Sequence, residues 1–132
     1  MKLTKYKLII TYYIHDMLYA YSVRLRFIEK ERWDLYLKFK NKRYVTRGIN
    51  NAVPLLTQLF LWQCIDTLNC PKDYLQVFKC SIYDGMQKII HIQEQPEYTK
   101  EYLFKTDTPL FVGKIFAIDD GEHSTMLLAE EY

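Results

Sequence analysis

Glycine and proline are missing from this 132-residue chain until Gly48, and all four of each lie from there onward. A stretch with neither residue carries no strong local stop for helix or strand. The composition therefore shifts near residue 37, and the chain divides into a possible upstream extension, 1–36, and a single domain, 37–132. Cysteine is also scarce. Cys64, Cys70 and Cys80 are odd in number, without CxxC spacing or a histidine close by in sequence. That argues against a disulfide scaffold or a zinc site and points to reduced thiols in a cytoplasm. Cys64, inside an apolar helical run, reads as a core filler. A long hydrophobic run is lacking too, because His15 and Asp16 interrupt "LIITYYIHDMLYAYSV" (8–23). A spanning helix needs about 20 apolar residues. Lys2, Lys5 and Lys7 mimic a signal peptide, but no small-residue cleavage site follows. Neither export nor membrane insertion is expected. GxSxG, HExxH, P-loop and GxGxxG patterns are absent as well.

What is present suits one globular domain: 49% hydrophobic and 26% charged residues. Twelve tyrosines lean toward strands or a contact surface, and six of them precede residue 37. The net charge of +2 hides an asymmetry. Lys38, Lys40, Lys42, Arg43 and Arg47 lie between Leu37 and Gly48 with no acid among them, whereas 49–132 holds six basic and twelve acidic residues.

"RYVTRGI" (43–49) reads as a short strand. Asn50 or Asn51 can cap a helix over 54–69, with Pro54 tolerated in its first turn and Asn69 and Pro71 ending it. Strands are expected at 73–81, 86–95, 99–105, 111–119 and 124–131. Asp84-Gly85 turns the first hairpin and Asp120-Gly121 the second. The expected fold is α+β, one helix packed on a mostly antiparallel sheet with two hairpins. Its expected core holds Leu59, Trp62, Val77, Ile90, Phe104, Ile115 and Leu128.

The run Asp119–Ser124 crowds acids, glycine, histidine and a hydroxyl together. Aspartate and glycine tolerate turn backbone, so the run reads as a polar turn with its acids solvated at the tip. His91 is expected on a strand surface, beside Gln87, Ile89 and Gln93. His15 gets no role. Glu94, Glu97 and Glu101 flank Pro96 on different local frames and read as solvated charge. No catalytic residue, metal ligand or cofactor is implied.

"RYVTRGIN", "TQLFLWQCID", "DYLQVF", "QKIIHIQEQPEY" and "IDDGEHSTMLLAEEY", in this order over about 43–132, resemble an uncharacterised family of Gram-positive bacteria and their mobile elements, domain of unknown function 960. The resemblance implies a compact cytoplasmic α+β domain and carries over no catalytic residues. It also implies a start just ahead of "RYVTRG", so 1–36 can be read as a translated upstream region, or alternatively as a genuine N-terminal strand or helix that packs on the core. "ERW" (31–33) can be encoded by a purine run and Leu37 by a TTG start, which the DNA decides.

Two surfaces stand out. "KFKNKRYVTRG" interleaves charge with rings, so Lys38, Lys40, Arg43, Tyr44 and Arg47 could follow a phosphate backbone while rings stack on bases. The helix is apolar on several sides: Leu55, Leu59 and Trp62 on one, Leu56, Phe60 and Cys64 on a second, Leu61, Ile65 and Leu68 on a third. Such a helix calls for burial on more than one face, by a sheet that curls round it, by the N-terminal extension or by another chain. A protein interface through Phe60, Leu61, Ile65 and Leu68 is expected, with Trp62 turned into the core and either a homo-oligomer or a protein partner across it. Glutamates at Leu61 and Ile65 should then dissociate the assembly and leave the hairpins intact. The expected function is that of a cytoplasmic interaction module acting through protein–protein contacts. The alternatives are nucleic-acid binding through the basic segment and a small enzyme without a recognisable motif.

Overall fold

Thr46 ends the first strand by becoming a helix cap. Its backbone is extended and its hydroxyl accepts from Ile49 N–H at 3.2 Å, which satisfies one of the amides a helix start leaves free. Strand β1 (Lys42–Val45) thus gives way to a short helix α1 (Arg47–Ala52). Asn50 and Asn51 lie inside α1, and Pro54, itself extended, caps α2 (Leu55–Asp66). The expected strand over 43–49 is therefore shorter, and the single expected helix is preceded by a second one.

The computed structural model describes residues 37–132, so the readings of 1–36, including His15 and the upstream start, lie outside the described residues. Five further strands follow: β2 (Leu75–Tyr83), β3 (Met86–Gln93), β4 (Tyr98–Phe104), β5 (Gly113–Asp119) and β6 (His123–Leu128). Asp84 and Gly85 both have positive φ, 53° and 74°, the backbone a two-residue hairpin turn requires. Tyr83 consequently faces Met86. The sheet order is β1-β6-β5-β2-β3-β4. All pairings are antiparallel except β1 on β6. This is the expected α+β arrangement, one major helix on a mostly antiparallel sheet.

Strand alternation gives the sheet two unlike faces. The helix-covered face carries Phe78, Cys80, Ile89, Ile115, Ala117 and Met126, which form the core with Ile49, Leu61, Trp62 and Ile65. Trp62 and Ile115 are buried as expected, and Phe104 and Leu128 pack against the core. Leu59 does not, being 54% exposed. Val77 and Ile90 point to the opposite face and are only half-buried, because their buried neighbours are Gln76, Phe78, Ile89 and His91.

Placing glutamines on the covered side departs from the usual pattern, and loop backbones explain it. Gln93 donates to Pro71 O at 3.0 Å and Pro96 O at 2.9 Å, and accepts from Asp73 N–H and Gln76 Nε2. Gln87 donates to Ser81 O and Phe111 O and accepts from Phe111 N–H. A buried amide is tolerable once hydrogen-bonded, and these two tie the loops to the sheet.

Candidate functional site

Asp119 accounts for much of the polar run that opens the last hairpin. It is 6% exposed rather than solvated. Its carboxylate accepts from Phe39 N–H at 2.7 Å, from the Asn41 amide at 2.9 Å and from Gly121 N–H at 2.8 Å. Burial works against the charge. The donors from Phe39, Gly121 and Asn41, with Lys38 nearby, overcome it and hold the carboxyl below its ordinary range. Asn41 in turn accepts from the Ser124 hydroxyl at 2.5 Å. Asp120 is the exposed acid of the turn, accepting from Glu122 and His123 N–H. Glu131 accepts from the Thr46 hydroxyl at 2.7 Å and from Leu128 N–H at 2.8 Å. The cluster is a turn, as expected, and its neighbours clasp the 39–46 segment. Among the described residues no group of three His, Cys, Asp or Glu side chains is placed to hold a metal ion.

Alternation also divides the basic segment. Arg43 turns toward α2, where it donates to Phe39 O at 2.7 Å, forms a fork with Asp66 and lies 4.6 Å over the Trp62 ring. Its guanidinium is committed to the fold. Tyr44 points the other way, edge-on to His123 at 5.3 Å, with Lys42 near its ring. Lys40 and Arg47 are exposed and Lys38 is half-buried. The five residues named from the sequence are thus not gathered on one surface.

The interface expected on α2 needs correction. Leu61 and Ile65 are fully buried and Leu68 nearly so, all within the domain's own core. Phe60 is half-buried against Tyr102 and Phe104 at 5.2 and 4.9 Å. The sheet reaches around more of the helix than a flat face would, since Phe60 and Cys64 meet β4 while Asp66 and Trp62 meet Arg43 of β1. What remains outside is the N-terminal half of the opposite stripe. Leu55, Leu56 and Leu59 are 65%, 63% and 54% exposed, while Thr57 and Gln58 are buried. Gln58 earns its burial by donating to Val53 O at 2.8 Å.

His91 is buried, not on the surface. Its Nε2 lies 2.6 Å from Gln76 Oε1, its ring stacks on Phe78 at 4.5 Å, and Nδ1 has no hydrogen-bond partner among the described residues. Burial pushes its pKa down to about 4. Cys64 and Cys80 are buried free thiols, pushed up to about 11 and about 12 by desolvation. High thiol pKa values leave little thiolate, so neither is built as a nucleophile.

The family model described as staphylococcal protein of unknown function, DUF960, matches residues 42–131. The chain belongs to DUF960. A solved structure described as a protein of unknown function from Enterococcus faecalis superimposes with a TM-score of 0.59 at 28% identity, covering 70% of this chain and 92% of that one. None of the curated proteins compared with the chain matches it. The DUF960 match begins at Lys42 and ends at Glu131, so it spans β1, both helices and the Glu131 clasp. Within this DUF960 fold the sequence reading passed over Leu55, Leu56 and Leu59 as a surface. Adjacent leucines followed four residues on by a third were the available signal, since helix positions i and i+4 share a stripe.

Proposed function

We propose that this DUF960 domain is a protein-interaction module whose contact surface is the outer N-terminal stripe of α2. The observation that carries this reading is the exposure of Leu55, Leu56 and Leu59 together, 65%, 63% and 54%, on a helix that buries Thr57 and Gln58 instead. Burying one such leucine fully is worth about 1.5–3 kcal/mol, and apolar anchors in a small central patch dominate protein interfaces. The interaction is thereby moved from Phe60, Leu61, Ile65 and Leu68 to the neighbouring stripe. Commitment of Arg43 to Asp66 and Phe39 O counts against the nucleic-acid reading, which needs that side chain free.

The test compares wild type with L56E/L59E by light scattering and by capture of partners from a Gram-positive host extract. A dimer or a captured polypeptide present with wild type and absent with the variant is expected. Identical behaviour of the two proteins overturns the reading. L61E serves as the contrast, because it places a charge in the core and should unfold the domain.

A further inference from the structure

The sheet face that neither described helix covers carries a second surface that the helix reading does not use. Both helices lie on the other face, and here β5, β2 and β3 present Ile118, Phe116, Val77 and Ile92, all half-buried, with the exposed Tyr132 ring edge-on to Phe116 at 5.7 Å at one end of the row. Beside this apolar row, Lys79 of β2 stands directly opposite Lys114 of β5. Both lysines are exposed, and neither has an ion pair among the described residues. Lys88, one strand along, is by contrast neutralised by Glu101 at 2.7 Å. Like charges directly opposite in a sheet are unfavourable, so the Lys79–Lys114 pair favours an added negative charge.

We propose that this face docks an amphipathic acidic segment of a partner protein, its apolar side chains on the Phe116–Val77–Ile92 row and its carboxylates over Lys79 and Lys114. The geometry fits a helix crossing the strands. Leu127, Phe116, Val77 and Ile92 are consecutive across four strands. At the usual interstrand spacing that row is roughly 14 Å long, about nine residues of helix. The lysine row runs parallel to it, two residues further along each strand and thus roughly 7 Å away, where the flank of such a helix lies. A shallow depression of about 420 Å³ lined by Tyr83, Lys88, Glu101 and Leu103 opens on the same face. Aliphatic side chains dominate the row, so it offers no succession of rings on which nucleic-acid bases stack, and two lysines alone are a small phosphate footprint. The chemistry selects an acidic polypeptide.

The test is a selection from a displayed library of random peptides of about 16 residues, roughly 24 Å of helix, on the immobilised full-length chain. Recovered peptides are expected to be rich in Asp and Glu interleaved with Leu, Ile or Phe, and to bind K79E/K114E about tenfold or more weakly. They should bind L56E/L59E as they bind wild type, which separates this surface from the helix stripe. Thermal unfolding supplies the second readout. K79E alone converts the like-charge pair into an opposite one and should raise Tm by about 1–5 °C. The proposal is overturned by a selection that yields no binders or no acidic bias, by binding insensitive to K79E/K114E, or by a Tm that stays or falls in K79E. Single-stranded DNA binding or self-association that K79E/K114E abolishes overturns it equally, in favour of that occupant.

Discussion

Replacing Asp119 by alanine removes the acceptor on which the start of the domain depends. Phe39 N–H is buried against that carboxylate, and a buried donor left without a partner costs about 1–3 kcal/mol. The Asn41 amide and Gly121 N–H are only partly buried, and water can replace their acceptor at a cost of about 0.5 kcal/mol each. Phe39 itself sits at φ 68°, a conformation that costs roughly 1–2 kcal/mol in a non-glycine residue, and part of that strain is released when the clasp is lost. The net loss for D119A is about 2 kcal/mol, a fall of about 12 °C in Tm for a domain of this size. D119N keeps the shape but turns an amide N–H toward a donor and should lose about half as much. Urea unfolding followed by circular dichroism, run from pH 7 down to pH 3, adds the electrostatic signature. The folded carboxyl lies below its ordinary value of 3.8, so its stabilisation is complete above that value and drains away as pH falls through the folded value. Wild type and D119A should therefore converge on acidification. A loss under 1 kcal/mol at pH 7, or a difference that does not change with pH, would refute the clasp.

Two other perturbations report on the buried interior. His91 titrates at about 4 in the fold against 6.5 when unfolded, so the unfolded chain binds the extra proton first. Stability should be full above pH 6.5, decline by on the order of 3 kcal/mol as pH falls from 6.5 to 4, and level off below. H91Q should flatten that slope in the same unfolding assay, and an unchanged slope would assign it elsewhere. Cys64 and Cys80, buried and with raised pKa, should resist iodoacetamide in the native protein and react once it is unfolded, as read by peptide mass spectrometry.

The hairpins were legible because their signals are local. Asp84-Gly85 and Asp120-Gly121 announce turns between alternating strands, and Asn69 and Pro71 bracket the helix end. Which face of each strand is covered was not. Gln76, Gln87, His91 and Gln93 look like an outward polar set until the carbonyls of Pro71, Ser81, Pro96 and Phe111 come within reach of their amides. That made Val77 and Ile90 look like core and His91 like surface. The helix misled for a related reason. With apolar residues on every side, its pattern names no inward face, and the choice falls to Arg43, Tyr102 and Phe104, which meet it from strands far away in sequence. Asp119 looked solvated because its main donor is Phe39, 80 residues earlier.

The clasps joining the two ends of the domain also set a schedule for its folding. Among the described residues β1 pairs only with β6, and Asn41 and Thr46 are fastened by Ser124 and Glu131, 83 and 85 residues further on. The β2–β3–β4 meander needs only neighbouring residues and can assemble as the chain is synthesised. Among the described residues β1 has no strand to lie on until β6 has been made. The segment carrying Lys38 to Arg47 therefore waits for this sheet partner until residues 123–128 have been made, and Glu131 just beyond them completes its fastening. Loss of so little as the "AEEY" tail would remove the Thr46–Glu131 fastening and leave the first-made part of the domain the last to be secured.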